Sequence, residues 1–97
     1  MTKKYLLSYS YVPDVLEKRA PFREKHLELA QKLVDQGRCE AGGATALVGE
    51  EAPTGALFVF SDLEAAKELV QGDPYVSNGI VVSHTIQEWT VAVEKKS

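Results

Sequence analysis

A histidine on an inward-facing helix position is the first residue in this sequence whose type suggests chemistry. His26 belongs to a stripe of residues spaced by four, three and four positions, which lines one face of a predicted helix: Phe22, His26, Leu29 and Leu33. An imidazole on that buried face can take up or release a proton near neutral pH. The competing interpretation is a structural histidine whose hydrogen bonds are satisfied inside the core.

A carboxylate could orient this ring, and Asp73 is one that can meet it if the two predicted helices lie side by side on one sheet. Asp73 directly follows the second predicted helix, and Pro74 stiffens the turn that would hold it. A carboxylate bonded to one ring nitrogen fixes the tautomer of an imidazole and stabilises the imidazolium that forms during proton transfer. Asp before Pro is also a common way to open a turn, so a purely structural role remains the alternative.

Two arginines precede His26 and are candidates for binding a substrate. Arg19 and Arg23 lie about one helical turn apart, and a planar guanidinium suits carboxylates and other anions. We expect Arg23 to contribute more, because Pro21 resets the helix start and Arg19 need not share the His26 face. Surface charge is the alternative for both arginines. Ser8 and Tyr75 are further candidate substrate contacts, with core or interface packing as the alternative for Tyr75.

Composition and charge argue against several classes of function. The 97 residues carry a net charge of −3 with acidic and basic residues interleaved, whereas a nucleic-acid-binding protein needs clustered Lys and Arg. Cys39 is the only cysteine, so no intramolecular disulfide forms within one chain. His84 has no second ligand at metal-binding spacing, and we expect neither a metal nor a cofactor. The N-terminal stretch resembles neither a signal peptide nor a membrane span, so cytoplasm is the expected location.

The elements that must position these residues alternate along a single predicted domain, residues 1–97. Period-two patterns and β-branched runs predict strands over residues 4–11, 38–48, 56–60 and 80–93. Helical periodicity predicts a short turn over 14–19 with a capping box at Asp14 and Glu17, a main helix over 20–36 and a second helix over 61–72. Residues 73–79 are predicted to be a connector, and 94–97 a polar tail. Gly42 and Gly43 are expected to bend their strand, and such a pair marks either a bulge or a place where another group approaches the backbone closely.

The order βαββαβ predicts an α+β, ferredoxin-like fold, a four-stranded antiparallel sheet with two helices on one face. The opposite face of the sheet is then left open, and we expect it to bear residues such as Tyr5, Phe58 and Trp89. A large apolar sheet face usually marks an interaction site. We therefore expect a homodimer in which a two-fold partner covers this face.

Several segments resemble the YCII-related family of small dimeric α+β barrel proteins. They are RAPFREKHL, AGG, GALFVF, DPYVSNGIV and the terminal EW, in this order over nearly the whole chain. The resemblance implies a protomer that dimerises through its sheet and an active site centred on a histidine and an aspartate, which map to His26 and Asp73. Gly43 departs from the pattern, because many relatives have proline there. We expect the His26 ring and the Asp73 carboxylate to lie within hydrogen-bond reach or one water apart, beside a cavity.

Three functions remain open. The first is an enzyme in which the His26–Asp73 pair performs acid–base chemistry of the lyase or isomerase kind on a small, cyclic or anionic organic molecule. The second is a non-catalytic dimer that binds a small ligand or regulates through it, using the same pocket. The third is a haem-binding or oxygenase relative, for which His84 is the only spare histidine. No nucleic-acid or membrane partner is expected in any of them.

Overall fold

The computed structural model describes residues 2–95, which form a sheet covered by helices. In chain order the elements are β1 (Thr2–Tyr11), α1 (Val15–Lys18), a 3₁₀ turn (Ala20–Phe22), α2 (Arg23–Asp35), β2 (Cys39–Thr45), β3 (Gly55–Phe60), α3 (Leu63–Gly72), α4 (Pro74–Ser77) and β4 (Val81–Val91). Met1 lies outside the described residues, as do Lys96 and Ser97 of the predicted polar tail. None of the helices in the described part of the chain is long and apolar enough to cross a bilayer.

The four strands form one antiparallel sheet in the order β2-β3-β1-β4. The two long helices, α2 and α3, pack on the same sheet face, because their buried residues join those of the strands in one core. Leu33 of α2 and Leu69 of α3 are fully buried in this core together with Leu7 of β1. The predicted ferredoxin-like fold with its βαββαβ order is therefore confirmed, with the short helices α1 and α4 added to it.

Strand alternation assigns the residues of the sheet to its two faces. Leu7 and Tyr9 of β1 and Phe58 of β3 are buried beneath the helices. Their neighbours in sequence point the other way, and Leu57 of β3 is exposed on the open face. The expectation for the open face was thus wrong for Tyr5 and Phe58, which lie on the helix side. Trp89 does lie on the open face. It pairs directly with Lys4, and Lys4 points to the face opposite to that of its neighbour Tyr5.

Three local expectations also differ from the structure. Asp14 occupies the N-cap of α1, but its side chain makes no capping hydrogen bond, so the predicted capping box is absent. The register of β2 shifts between Cys39 and Ala41, and not at the glycine pair. The connector predicted over 73–79 contains a helical turn, α4. The four residues of α4 are too few to show a helical period in the sequence. Analysis of the hydrophobic pattern therefore does not predict this helix.

Candidate functional site

Asp73 joins α3 to α4 and is held at both ends of this junction. Its backbone N–H donates to the Leu69 carbonyl oxygen at 2.8 Å, which closes the last turn of α3. Its backbone is then extended, with φ −76° and ψ 118°, as the following proline requires. Its side chain caps α4, since Oδ1 accepts the Tyr75 backbone N–H at 2.9 Å. The carboxylate is consequently fixed by the backbone and points into the core.

His26 meets this carboxylate from the first turn of α2. Its Nδ1 lies 2.9 Å from Oδ1 and 2.8 Å from Oδ2 of Asp73. The side chain of His26 is 7% exposed and that of Asp73 is fully buried. The two side chains are therefore in direct contact at the predicted distance, with no intervening water needed.

Tyr9 supplies a third donor to the same carboxylate. Its hydroxyl, which projects from β1 on the helix side of the sheet, donates to Asp73 Oδ2 at 2.9 Å. Burial, followed by the charge of Asp73, raises the pKa of this phenol, which keeps it a donor. An ionised carboxylate is an acceptor only, so it satisfies the phenol, the backbone N–H and the imidazole together. That network assigns the hydrogen of the His26 ring to Nδ1.

Aromatic neighbours fix the plane of the His26 ring. Tyr75 of α4 stacks on it with 3.9 Å between ring centroids and 7° between planes. Phe58 of β3 approaches the imidazole edge-on at 5.9 Å and 72°. With Nδ1 held by Asp73 and one face covered by Tyr75, the ring has one defined orientation.

A cavity of about 980 Å³ lies between α2 and β2 and reaches the His26 ring. The residues that matter for chemistry cluster at its end near the start of α2: Tyr11, Arg19, Arg23, His26, Phe58 and Tyr75. His26 Nε2 makes no hydrogen bond within residues 2–95, yet no side-chain nitrogen or oxygen there is both buried and unpaired. Nε2 is therefore open to the cavity, as expected for a ring that can exchange protons with a bound molecule.

Both predicted arginines line this cavity. Arg19 is half-buried and Arg23 is exposed, and neither forms an ion pair with any residue between 2 and 95. Although Pro21 begins a 3₁₀ turn ahead of α2, Arg19 and Arg23 both line the cavity that reaches His26. The ranking of Arg23 above Arg19 in anion binding stays a prediction, although Arg19 is the more buried of the two.

The other sequence candidates fall in different places. Tyr75 is brought to the site, but Ser8 is not, because it lies on the open sheet face opposite Leu57. His84 is exposed on β4 and does not line the cavity. Cys39 lines the far end of the cavity, and burial raises the pKa of its thiol. Among residues 2–95 no group of three or more His, Cys, Asp or Glu side chains has metal-binding geometry.

Tyr11 is a site residue that the sequence reasoning missed. It lines the cavity and lies edge-on to Tyr75, with 6.1 Å between ring centroids and 82° between planes. Burial, together with Tyr75 and Asp73, raises the pKa of Tyr11 to about 12 despite the opposing effect of Arg19. The signal was present, since the alternation in β1 assigns Tyr11 to the same face as Tyr9.

Comparisons with known proteins agree with this architecture. Residues 3–90 match the YCII-related domain. Protein YciI of Escherichia coli is 38% identical over 74 residues, which cover 69% of this chain and 76% of that protein.

Two solved structures share the fold. The 5-chloro-2-hydroxyhydroquinone dehydrochlorinase of Burkholderia phenoliruptrix, in complex with 2,5-dihydroxybenzoquinone, has a TM-score of 0.72 at 19% identity, covering 90% of this chain and 93% of that chain. A dimeric protein of unknown function with a ferredoxin-like fold from Bacteroides fragilis has a TM-score of 0.58 at 17% identity, covering 92% and 95%. With the domain match extending over nearly its whole length, this chain belongs to the YCII-related domain family.

Proposed function

We propose that this protein is an acid–base enzyme of the lyase or isomerase kind that acts on a small, cyclic, anionic organic molecule. The observation that carries the proposal is the state of the His26 ring. Its Nδ1 is held by a fully buried carboxylate at 2.8 Å, while its Nε2 opens onto a cavity. A histidine with only a structural role does not need a ring nitrogen that lies unbonded beside a cavity.

In the proposed reaction His26 Nε2 removes a proton from the bound molecule and returns it to another atom or to a leaving group. Asp73 orients the ring and stabilises the imidazolium that forms. Tyr9 and the Tyr75 backbone N–H hold the carboxylate in place, since each donates to it at 2.9 Å. Tyr75, stacked on the imidazole, limits rotation of the ring while the proton moves.

The nature of the substrate follows from the walls of the cavity. The protein carries a net charge of −3, yet two arginines without ion-pair partners among residues 2–95 lie at the His26 end, which favours an anion. Tyr11, which is half-buried at this end of the cavity, provides aromatic surface for a ring. The structural neighbour from Burkholderia phenoliruptrix binds 2,5-dihydroxybenzoquinone, a ring of this kind. That molecule and its carboxylated cyclic analogues are the first ligands to test.

Deuterium exchange tests the proposed chemistry without knowledge of the natural substrate. 4-Oxocyclohexanecarboxylate is small, cyclic and anionic, and the hydrogens beside its ketone exchange with D₂O when a base removes them. We expect the protein to accelerate this exchange, measured by loss of the corresponding proton NMR signals. His26→Gln should lower the acceleration by about 10²–10⁴-fold, the usual contribution of a general base.

His84→Gln is the matched control, because His84 is exposed and outside the cavity. It should retain full exchange. If the wild type binds 2,5-dihydroxybenzoquinone but exchanges nothing, the non-catalytic ligand-binding alternative takes the place of the enzyme. If His84→Gln loses as much activity as His26→Gln, the role assigned to His26 is wrong.

We also propose that the working unit is a homodimer joined through the open sheet face. Leu57 and Trp89 are exposed large apolar residues on this face. The structural neighbour from Bacteroides fragilis with a ferredoxin-like fold is dimeric. Covering a sheet face that lacks helices would bury these side chains, which a chain with a thin core needs.

A further inference from the structure

Two tyrosine hydroxyls lie unused at the His26 end of the cavity. Tyr11 and Tyr75 both line it, but neither hydroxyl makes a hydrogen bond with any residue from 2 to 95. Neither is a buried unpaired atom, so each hydroxyl oxygen has some contact with solvent, although the Tyr75 residue as a whole is 1% exposed. Tyr9, by contrast, has its hydroxyl bonded to Asp73. The acid–base mechanism therefore leaves two phenolic donors without a partner.

Arg19 lines the same cavity as these two tyrosines and is half-buried. Its positive charge acts to lower the pKa of both Tyr11 and Tyr75, and Arg23 acts in the same direction on Tyr75. Burial outweighs that effect and raises the pKa of both, so each hydroxyl remains a hydrogen-bond donor at neutral pH.

We propose that Tyr11, Tyr75 and Arg19 bind a single ionised ring oxygen of the substrate, a phenolate or an enolate. This inference rests on the proposed function, since it names the substrate class of the same cavity. An ionised oxygen accepts several hydrogen bonds at once, and two neutral phenols with one guanidinium supply donors and charge compensation together. Tyr11 is then a specificity-determining residue, because its hydroxyl makes a stronger hydrogen bond to an ionised ring oxygen than to a neutral one.

The arrangement also fits the chemistry assigned to His26. Removal of a proton from a carbon of the ring pushes electrons onto a ring oxygen, and donors aimed at that oxygen stabilise the charge that develops. Tyr75 stacks on the imidazole with 3.9 Å between centroids, so its hydroxyl and the base are held as one rigid unit. Tyr75 and His26 would then together position the ring oxygen and the proton to be removed.

Binding of two quinones that differ in charge tests this inference. 2,5-Dihydroxybenzoquinone carries ionised oxygens once the pH is above the ionisation of its hydroxyl groups, whereas 2,5-dimethoxybenzoquinone cannot ionise. We expect Tyr11→Phe to weaken binding of the dihydroxy compound by about 10–100-fold, as for loss of a hydrogen bond to a charged group. Binding of the dimethoxy compound should not change. Arg19→Met should have the same selective effect, measured by titration calorimetry.

Tyr5→Phe is the matched control, because Tyr5 lies on the same face of β1 but outside the cavity. It should leave both affinities unchanged. Equal weakening of both quinones by Tyr11→Phe, no weakening of either, or failure of the wild type to bind the dihydroxy compound would overturn the inference. The deuterium exchange of 4-oxocyclohexanecarboxylate is a separate readout, so loss of exchange in His26→Gln would uphold the proposed function even then.

Discussion

The position of one hydrogen on the His26 ring depends on the ionised state of Asp73. The carboxylate accepts hydrogen bonds from Tyr9, from the Tyr75 backbone and from the imidazole, at distances of 2.8–2.9 Å. As long as it only accepts, Nδ1 must carry a hydrogen, and in the neutral form of the ring the free lone pair is then on Nε2. The Asp73 carboxylate, which is bonded to Nδ1, thus determines whether His26 can act as a base through Nε2.

Asp73→Asn should reverse the tautomer of this ring. The amide carbonyl can still accept from the Tyr75 backbone at the Oδ1 position, which places the amide NH₂ at the Oδ2 position, the nearer of the two to Nδ1 at 2.8 Å against 2.9 Å. Two donors cannot face each other, so we expect the hydrogen to move to Nε2, where the ring can no longer act as a base. Long-range ¹⁵N–¹H NMR spectra of the His26 ring report the tautomer directly, and deuterium exchange should fall by about 10²–10⁴-fold.

Asp62→Asn is the matched control for this change. Asp62 caps α3 by accepting the Ala65 backbone N–H at 2.7 Å, as Asp73 caps α4, but it does not line the cavity. Its substitution should leave the His26 tautomer and the exchange rate as they are. An Asp73→Asn protein that keeps the hydrogen on Nδ1 would show that the carboxylate does not control the ring.

The residues of the site were only partly predictable from the sequence. His26 was found because helical periodicity places it on the inward face, whereas Asp73 was chosen because the resemblance to the YCII-related family maps an aspartate there. Ser8 was assigned to the site although strand alternation opposes it to Tyr9, and the structure shows it on the other sheet face. Tyr11 was missed because strand alternation assigns it to the same face as Tyr9 but does not show that a cavity lies against that face.

At the scale of elements, β2 approaches the buried ring of Phe58 through a glycine. Gly42 pairs with Phe58 in the sheet, and a Cβ atom added at Gly42 would overlap the aromatic ring. The sequence predicted a bulge or a close approach at the glycine pair, and the close approach is correct for Gly42. The register shift lies instead between Cys39 and Ala41. Paired glycines in a strand indicate either a bulge or a close approach to the backbone, and the sequence does not show which of the two is present.

Gly42→Ala should destabilise the fold, whereas Gly43→Ala should not. The added methyl group at Gly42 must displace the Phe58 ring, which is 3% exposed, and overpacking of this kind costs about 1–3 kcal/mol. At Gly43 an added Cβ has no atom within 4 Å, and its backbone φ is not positive. Urea denaturation of the two variants gives the comparison. Equal losses of unfolding free energy would place the cause in the backbone of β2 and not in the Phe58 contact.

At the scale of the whole molecule, the two faces of the sheet differ in what covers them. The helix face carries the site and the core, while the open face combines exposed apolar residues with polar ones such as Ser8. The sequence predicted this asymmetry, because the order βαββαβ leaves one face without helices. It could not identify the residues on that face until the register of the strands was known. The homodimer proposed to cover this face involves two chains, and the pattern of one chain does not contain that information.

Leu57→Glu should convert the proposed homodimer into a monomer. Leu57 lies on the open face of the inner strand β3 and is 39% exposed, so a charge there would be buried without a partner when two sheets pack together. Leu63→Glu is the matched control, because Leu63 is 37% exposed but lies at the start of α3, in the helix layer. Light scattering at micromolar concentration should give a dimer for the wild type and for Leu63→Glu, and a monomer for Leu57→Glu. A wild type that is monomeric without dependence on dilution, or a Leu57→Glu variant that stays dimeric, would mean that the open face is not the interface.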